Sequence, residues 1–372
     1  MRIVSVSFAL VLVGMVVCSC TDKSEVSLPE TFLPFKINQE RFISDIVDDV
    51  RIVPLHFEGL SYYTIDKMVV RDDYYYLFDY RQKKVMVFDR SGKMEYIIAR
   101  AGRGPGEYLD MKSATVDGQD IIVLDNQMRQ IHRYNRFTGE YVRSNRLSFA
   151  AWDVEAFNDG SLIFAFVPMS GGHLAHAQPD NMVFITDEEG QIRECLFPIK
   201  KGFYEPMSKD SYLCSDGKRI VFSSYGFDGC VMFDCDDSGK REKVMIDFGN
   251  ETTKGEERKE WAAIVKKRYL HDTPLPCGDL MGMLLGLGDE TMNYFLCDRR
   301  DEYDFLQNPS SPQKNMLYMP KASYKGKMYS LIEAEEYKQL ALSGILPYVG
   351  TFQDVGEGDM ILAEYRFKNN AE

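Results

Sequence analysis

Residues 84–106 read KVMVFDRSGKMEYIIARAGRGPG: a strand, a tight turn, a second strand and a glycine-rich loop. The first half returns later in the chain. VMVFDRSGK at Val85–Lys93 is echoed by VMFDCDDSGK at Val231–Lys240. An echo of that length marks a repeated β unit, because each copy must form the same short hairpin. Upstream of it lie Ile65–Val70 and Tyr74–Asp79, separated by the turn Arg71-Asp72-Asp73. With Lys84–Asp89 and Met94–Ala99 they make a four-stranded meander rich in Tyr, Phe, Val and Ile, residues that fit a pleated, half-buried surface.

The unit recurs downstream. Leu77-Phe78-Asp79 aligns with Val123-Leu124-Asp125, 46 residues on. Gly92, Gly139, Gly190 and Gly239 mark one turn four times, at a place where positive φ favours glycine. A third unit starts at Ala151, lengthened by an insertion near 168–179, and a fourth holds the echo itself. Leu275–Asp301 is expected as the fifth blade, and Met316–Met319 with Lys327–Ile332 as the start of the sixth. Lys254–Leu270 is expected as a helix, with Trp261, Ile264, Val265 and Tyr269 on one face, and Glu333–Ser343 as a second. A period of about 45 residues with four strands per unit is that of a β-propeller blade. One blade cannot bury both of its faces, whereas a ring of blades buries each against its neighbours. The fold class is therefore all-β: a six-bladed β-propeller of four-stranded antiparallel blades over residues 45–369. Loose ends would leave sheet edges open. The strand near 49–55 is expected to close the ring by pairing with the strand near 360–367.

The composition is globular, with 45% hydrophobic and 27% charged residues. Fifty-seven acids against 44 lysines and arginines give a net charge of −13, which argues against nucleic acid as a partner. At the N-terminus, MRIVSVSFALVLVGMVVCSC carries one basic residue, Arg2, and an apolar run from Ile3 to Val17. That run is too short to span a bilayer and is flanked as a secretory signal is flanked. Its end, Val17-Cys18-Ser19-Cys20, resembles a bacterial lipobox, which implies cleavage after residue 19 and a lipid on Cys20. Residues 1–19 are then a signal peptide and residues 20–44 a lipidated tether. The protein is expected to be exported and anchored to the cell envelope, at the outer membrane.

With the repeat established, VDDVRIVPL (Val47–Leu55), IDKMVVRDDYYYLFD (Ile65–Asp79), VMVFDRSGK and GRGPGEY (Gly102–Tyr108) resemble the six-bladed β-propeller lipoproteins of Bacteroidetes, relatives of NHL-repeat and TolB-like propellers. The resemblance implies fold and envelope location and says little about chemistry.

Three features invite a functional reading. GRGPGEY joins blade one to blade two. Its glycines let backbone amides converge, Arg103 offers a bidentate cation, and Glu107 and Tyr108 complete a candidate ligand-binding set, against the plainer reading of a junction that caps the next blade. No helix follows and no GKS or GKT occurs, so this is not a nucleotide loop. His173 and His176, with Asp180 and the blade-loop acids Asp79, Asp125 and Asp153, are the candidates for a channel metal, against turn caps and solvated loops. No set with metal-ligand spacing is legible, and neither a cofactor nor a catalytic residue is assigned. The six cysteines beyond Cys20 (195, 214, 230, 235, 277 and 297) are expected as mostly reduced, buried thiols, with one bridge possible. The leading expectation is an envelope propeller that binds an unknown small ligand, a glycan or an envelope protein. The alternatives are a metal-dependent hydrolase or lyase at the channel mouth and a scaffold subunit of an outer-membrane uptake complex. The side chains lining the channel discriminate. Three or more converging Asp, Glu or His favour an enzyme, and a mixed lining favours binding.

Overall fold

The computed structural model describes residues 28–169, 180–288, 291–300, 304–348 and 358–370. Six antiparallel sheets stand around a common axis. Their inner strands are Lys67–Val70, Ser113–Val116, Asp153–Ala156, Leu213–Ser215, Leu275–Cys277 and Ala322–Tyr324, and each touches the next around the ring. The middle strands are covered on both faces. Tyr75–Asp79 and all of Asp120–Asp125 are buried, and this is why they read as continuous apolar runs rather than as an alternation. The core therefore lies between blades. Tyr76, Phe78, Val85 and Val87 of blade 1 pack on Val116, Ile121, Val123 and Tyr134 of blade 2.

The ring closes as expected. Val47–Leu55 is the outer strand of blade 6, antiparallel to Met360–Phe367, with Leu55 opposite Met360 and Asp49 opposite Arg366. Gly92, at φ +92°, lies so near this strand that a Cβ would fall 1.8 Å from the Pro54 carbonyl oxygen. Its own carbonyl accepts from His56 N at 3.1 Å. Gly139 and Gly190 share the positive φ. Gly239 does not. Its connection runs from Asp234 to Lys240, against Asp89 to Lys93 in blade 1, and the two extra residues relax the turn.

Three further expectations change. The tether is shorter than 20–44, because Glu30–Pro34 is a fifth strand on blade 4, parallel to Arg241–Asp247. Leu33 turns inward while Phe32 faces solvent, and the strand supplies partners to an otherwise open edge. Phe35 then wedges among Phe248, Phe295 and Phe305. Lys254–Leu270 is not one helix. It forms a 3-10 turn at Gly255–Lys259, a single α turn at Trp261–Ile264 and the strand Arg268–Leu270. Sheet pairing prevails there: Tyr269 lies opposite Gly286, and its ring occupies the space a Cβ on Gly286 would need. Met316–Met319 is irregular, and the inner strand of blade 6 comes later, at Ala322–Tyr324. The second helix forms as expected, at Ala334–Leu342. No helix among the described residues is long and apolar enough to cross a membrane.

Candidate functional site at the channel

Each inner strand starts on the face that carries the blade-to-blade loops and ends on the opposite face. Alternate residues of these strands point at the axis. Lys67 is the cation they enclose. Its Nζ lies 2.7 Å from Glu155 Oε1 and 3.6 Å from Asp153 Oδ1, and donates to the Val154 carbonyl at 3.3 Å. Blade 2 adds hydroxyls: Ser113 Oγ donates to Asp153 Oδ1 at 2.5 Å and Thr115 Oγ1 to Glu155 Oε2 at 2.6 Å. Blade 4 completes the set, since Asp153 Oδ2 accepts from Ser211 Oγ, Tyr212 N and Leu213 N at 2.7–2.9 Å. Burial opposes charge on both partners, yet attraction prevails. Lys67 is held well above the usual lysine range by Glu155 and Asp153. Asp153 is held below the usual carboxylate range by Lys67, then by Ser113, Ser211 and Leu213. Asp153 thus sits on an inner strand rather than on a blade loop, and its lone pairs are taken.

This ionic bolt joins blades 1 to 4. On the other side the channel keeps a cavity of about 70 Å³, space for a few ordered waters. Met68, Cys214, Leu275, Ala322 and Ser323 help to line it, with Lys67 and Glu155, so the lining is mixed. Burial pushes the Cys214 thiol up to about 12, so it is protonated and unreactive at neutral pH.

Above the bolt, at the mouth, Asp66 and Asp272 are both pushed above the usual carboxylate range. Burial is the main cause, and Asp210 adds a like charge to each. Three aspartates therefore share the mouth with Lys321, the number that favours an enzyme, but no group of three His, Cys, Asp or Glu among the described residues is placed to hold one metal ion. Beside them Glu205 is buried, accepting from Tyr212 Oη at 3.0 Å and from Tyr225 N. Burial lowers Lys209 to about 8 against the pull of Glu205. The ammonium donates to the His271 carbonyl at 2.7 Å and lies 4.2 Å from the Tyr225 ring centre.

The residues singled out from sequence occupy other places. Glu107 folds back into its own loop and accepts from Gly104 N at 2.7 Å, filling the space a Cβ on Gly102 would need. Tyr108 is fully buried, with its hydroxyl on the Lys83 carbonyl at 2.8 Å. Arg103 alone of the three is exposed. Asp79 and Asp125 are buried turn caps built alike: each takes the N–H three residues on, and another from sixteen residues back, Tyr63 and Leu109 respectively. Asp180 is exposed, and His173 and His176 lie outside the described residues. No disulfide joins any of these six cysteines, four of which are buried. Sequence reasoning missed Lys67 and Glu155. The available signal was polar residues two apart on consecutive inner strands, Ser113/Thr115 and Asp153/Glu155, offset by 40.

A family described as a domain of unknown function, DUF4934, matches residues 34–345. No curated protein matches the sequence. Among solved structures, a protein of Bacteroides fragilis NCTC 9343 described as exported is similar at TM-score 0.69 and 15% identity, over 91% of this chain and 100% of its own. A member of the DUF4221 family from Bacteroides vulgatus ATCC 8482 is similar at TM-score 0.51 and 14% identity, over 88% and 98%. At these identities the likeness concerns the fold.

Proposed function

The chain belongs to the DUF4934 family, and from that premise we propose that it is an exported, lipid-anchored propeller that holds a small polar ligand at the mouth of its central channel. One observation carries this reading: the channel acids are enclosed and paired, while the charged groups at the mouth above them face solvent. Asp153 and Glu155 share the Lys67 ammonium as counter-ion, and hydroxyls and amides of blades 2 and 4 bond to them, which makes a rigid polar floor. Around the rim, Asp66, Asp210 and Lys321 stay open to solvent. A preformed concave site with a few convergent polar groups is the ordinary form of a ligand pocket. Arg103, exposed on a loop of the same face, is a candidate rim contact.

The Val17–Cys20 lipobox supports the anchor, and the exported description of the Bacteroides fragilis neighbour supports export. A metal-dependent hydrolase or lyase would need at least three ligands on one ion, and the mouth aspartates are not so arranged. The test is native mass spectrometry of the protein released from its own membranes. The expected result is a diacylated N-terminal Cys20 and a retained small-molecule adduct. An unmodified N-terminus would remove the anchor, and a ligand-free mass in every preparation would remove the binding role.

A further inference from the structure

Beside the mouth, between blades 4 and 5, polar groups are left unused among aromatic rings. Tyr225 is 3% exposed, and its hydroxyl is buried without a hydrogen bond. Nδ1 of His271 is in the same condition. Among the described residues the Asp272 carboxylate takes no hydrogen bond, nor does the indole N–H of Trp261 give one. Trp261 stands 5.5 Å from both Tyr225 and Tyr269, and His271 lies 6.0–6.4 Å from all three rings. Lys209 braces the group from beneath, against Tyr225 and the His271 carbonyl. Buried groups without partners are few in folded proteins, and two of them, the Tyr225 hydroxyl and His271 Nδ1, beside the part-exposed Asp272 and Trp261 call for an occupant.

The kinds of group narrow the occupant. An anion would meet Asp272, Asp210 and Glu205. A simple cation would use the carboxylate and the ring faces and leave the indole N–H with no acceptor. A sugar satisfies every group, since hydroxyls donate to the carboxylate and accept from Trp261, Tyr225 and His271 while ring C–H groups lie on aromatic faces. We propose that Tyr225, Trp261, His271 and Asp272 form a subsite for a sugar ring or related polyol. This rests on the reading of the mouth as a ligand site and adds the class of ligand.

The chain has two tryptophans, so Trp152→Phe leaves Trp261 as the sole indole reporter. The full chain, in a detergent without a sugar head group, is titrated with glucose, galactose, mannose, N-acetylglucosamine and glucuronate, and with choline as the cation arm. At least one neutral sugar is expected to give a saturable emission shift, weakened about tenfold by Asp272→Asn and by Tyr225→Phe. Lys240→Ala, on the far face, should change nothing. Circular dichroism confirms the fold of each variant, and Trp261→Phe, followed by calorimetry, should abolish the heat of sugar binding. A response to choline or glucuronate alone, or to no probe at all, overturns the sugar assignment. If the membrane-derived protein still carries an adduct, the mouth reading survives that result. If it carries none, both fall.

Discussion

Lys67 is the residue on which the middle of the ring depends. Removing its charge would leave Asp153 and Glu155 buried without a counter-ion, so Lys67→Met is expected to cost roughly 3–5 kcal/mol in urea unfolding. Adding Asp153→Asn and Glu155→Gln should recover part of that loss, because no charge is then stranded. The pH dependence follows from the signs. Asp153 is held low, so its contribution is complete above the unfolded value of about 3.9 and fades as pH falls through the folded one. Lys67 is held high, so its share is complete below about 10.4 and fades as pH rises beyond it. The stability difference between wild type and Lys67→Met should therefore form a plateau from about pH 4 to pH 10 and shrink at both ends. A difference that does not change below pH 4 would show that Asp153 is not held by Lys67. Arg103 makes the contrasting case. As an exposed loop residue its replacement by alanine should move stability by no more than about 0.5 kcal/mol, so any effect on ligand retention would be a contact rather than a fold defect.

At the scale of the element, the hairpin turn between third and outer strands shows why a repeated motif need not keep its physics. Gly92→Ala must place a Cβ into the Pro54 carbonyl at φ +92°, and a loss of about 3 kcal/mol or more is expected. Gly239→Ala, in the longer turn with ordinary φ and only the Asp237 side chain nearby, should stay within about 0.5 kcal/mol. Equal losses by chemical denaturation would contradict the two turn geometries. These turns were legible in the sequence because one glycine per unit returns at nearly constant spacing, and the strands were legible because doubly buried sheets read as apolar runs. Helical periodicity at Trp261–Tyr269 misled, since a partly buried strand after one helical turn can carry the same apolar spacing. Leu33 and Phe35 gave no warning that the tether docks. Five residues adding to a sheet edge leave too short a pattern. The channel pairs were written in the sequence as alternate polar residues, but only known strand neighbours turn such an alternation into a cluster. The mouth groups arise from segments distant in sequence, Asp66, Lys209–Tyr212, Tyr225, Trp261–Asp272 and Lys321, and no local pattern joins them.

For the whole molecule, the docked N-terminal strand sets an orientation. Glu30–Pro34 runs parallel to the outer strand of blade 4, with Glu30 at Lys243 and Pro34 at Asp247. The chain therefore arrives from the face opposite the blade-to-blade loops. Glu30 lies ten positions after Cys20, a reach of at most about 36 Å when extended. With the proposed lipid on Cys20, the membrane is expected near the far face and the channel mouth pointing away. With the acylated protein on vesicles, energy transfer to a membrane-borne acceptor should be stronger from a dye at Gly118, on the far face, than from one at Gly202, on the mouth side. Both positions have open space for a side chain. The reverse order would place the mouth against the bilayer. The ring has a bolted floor, and the mouth above it is proposed to hold a ligand. The most direct test is an experimental structure of the protein taken from its own membranes. The expected result is the Lys67–Asp153–Glu155 bolt intact and a small ligand at the mouth, in contact with Asp272 and Tyr225. A mouth holding only water, with a ligand seated on another face of the ring, would contradict it.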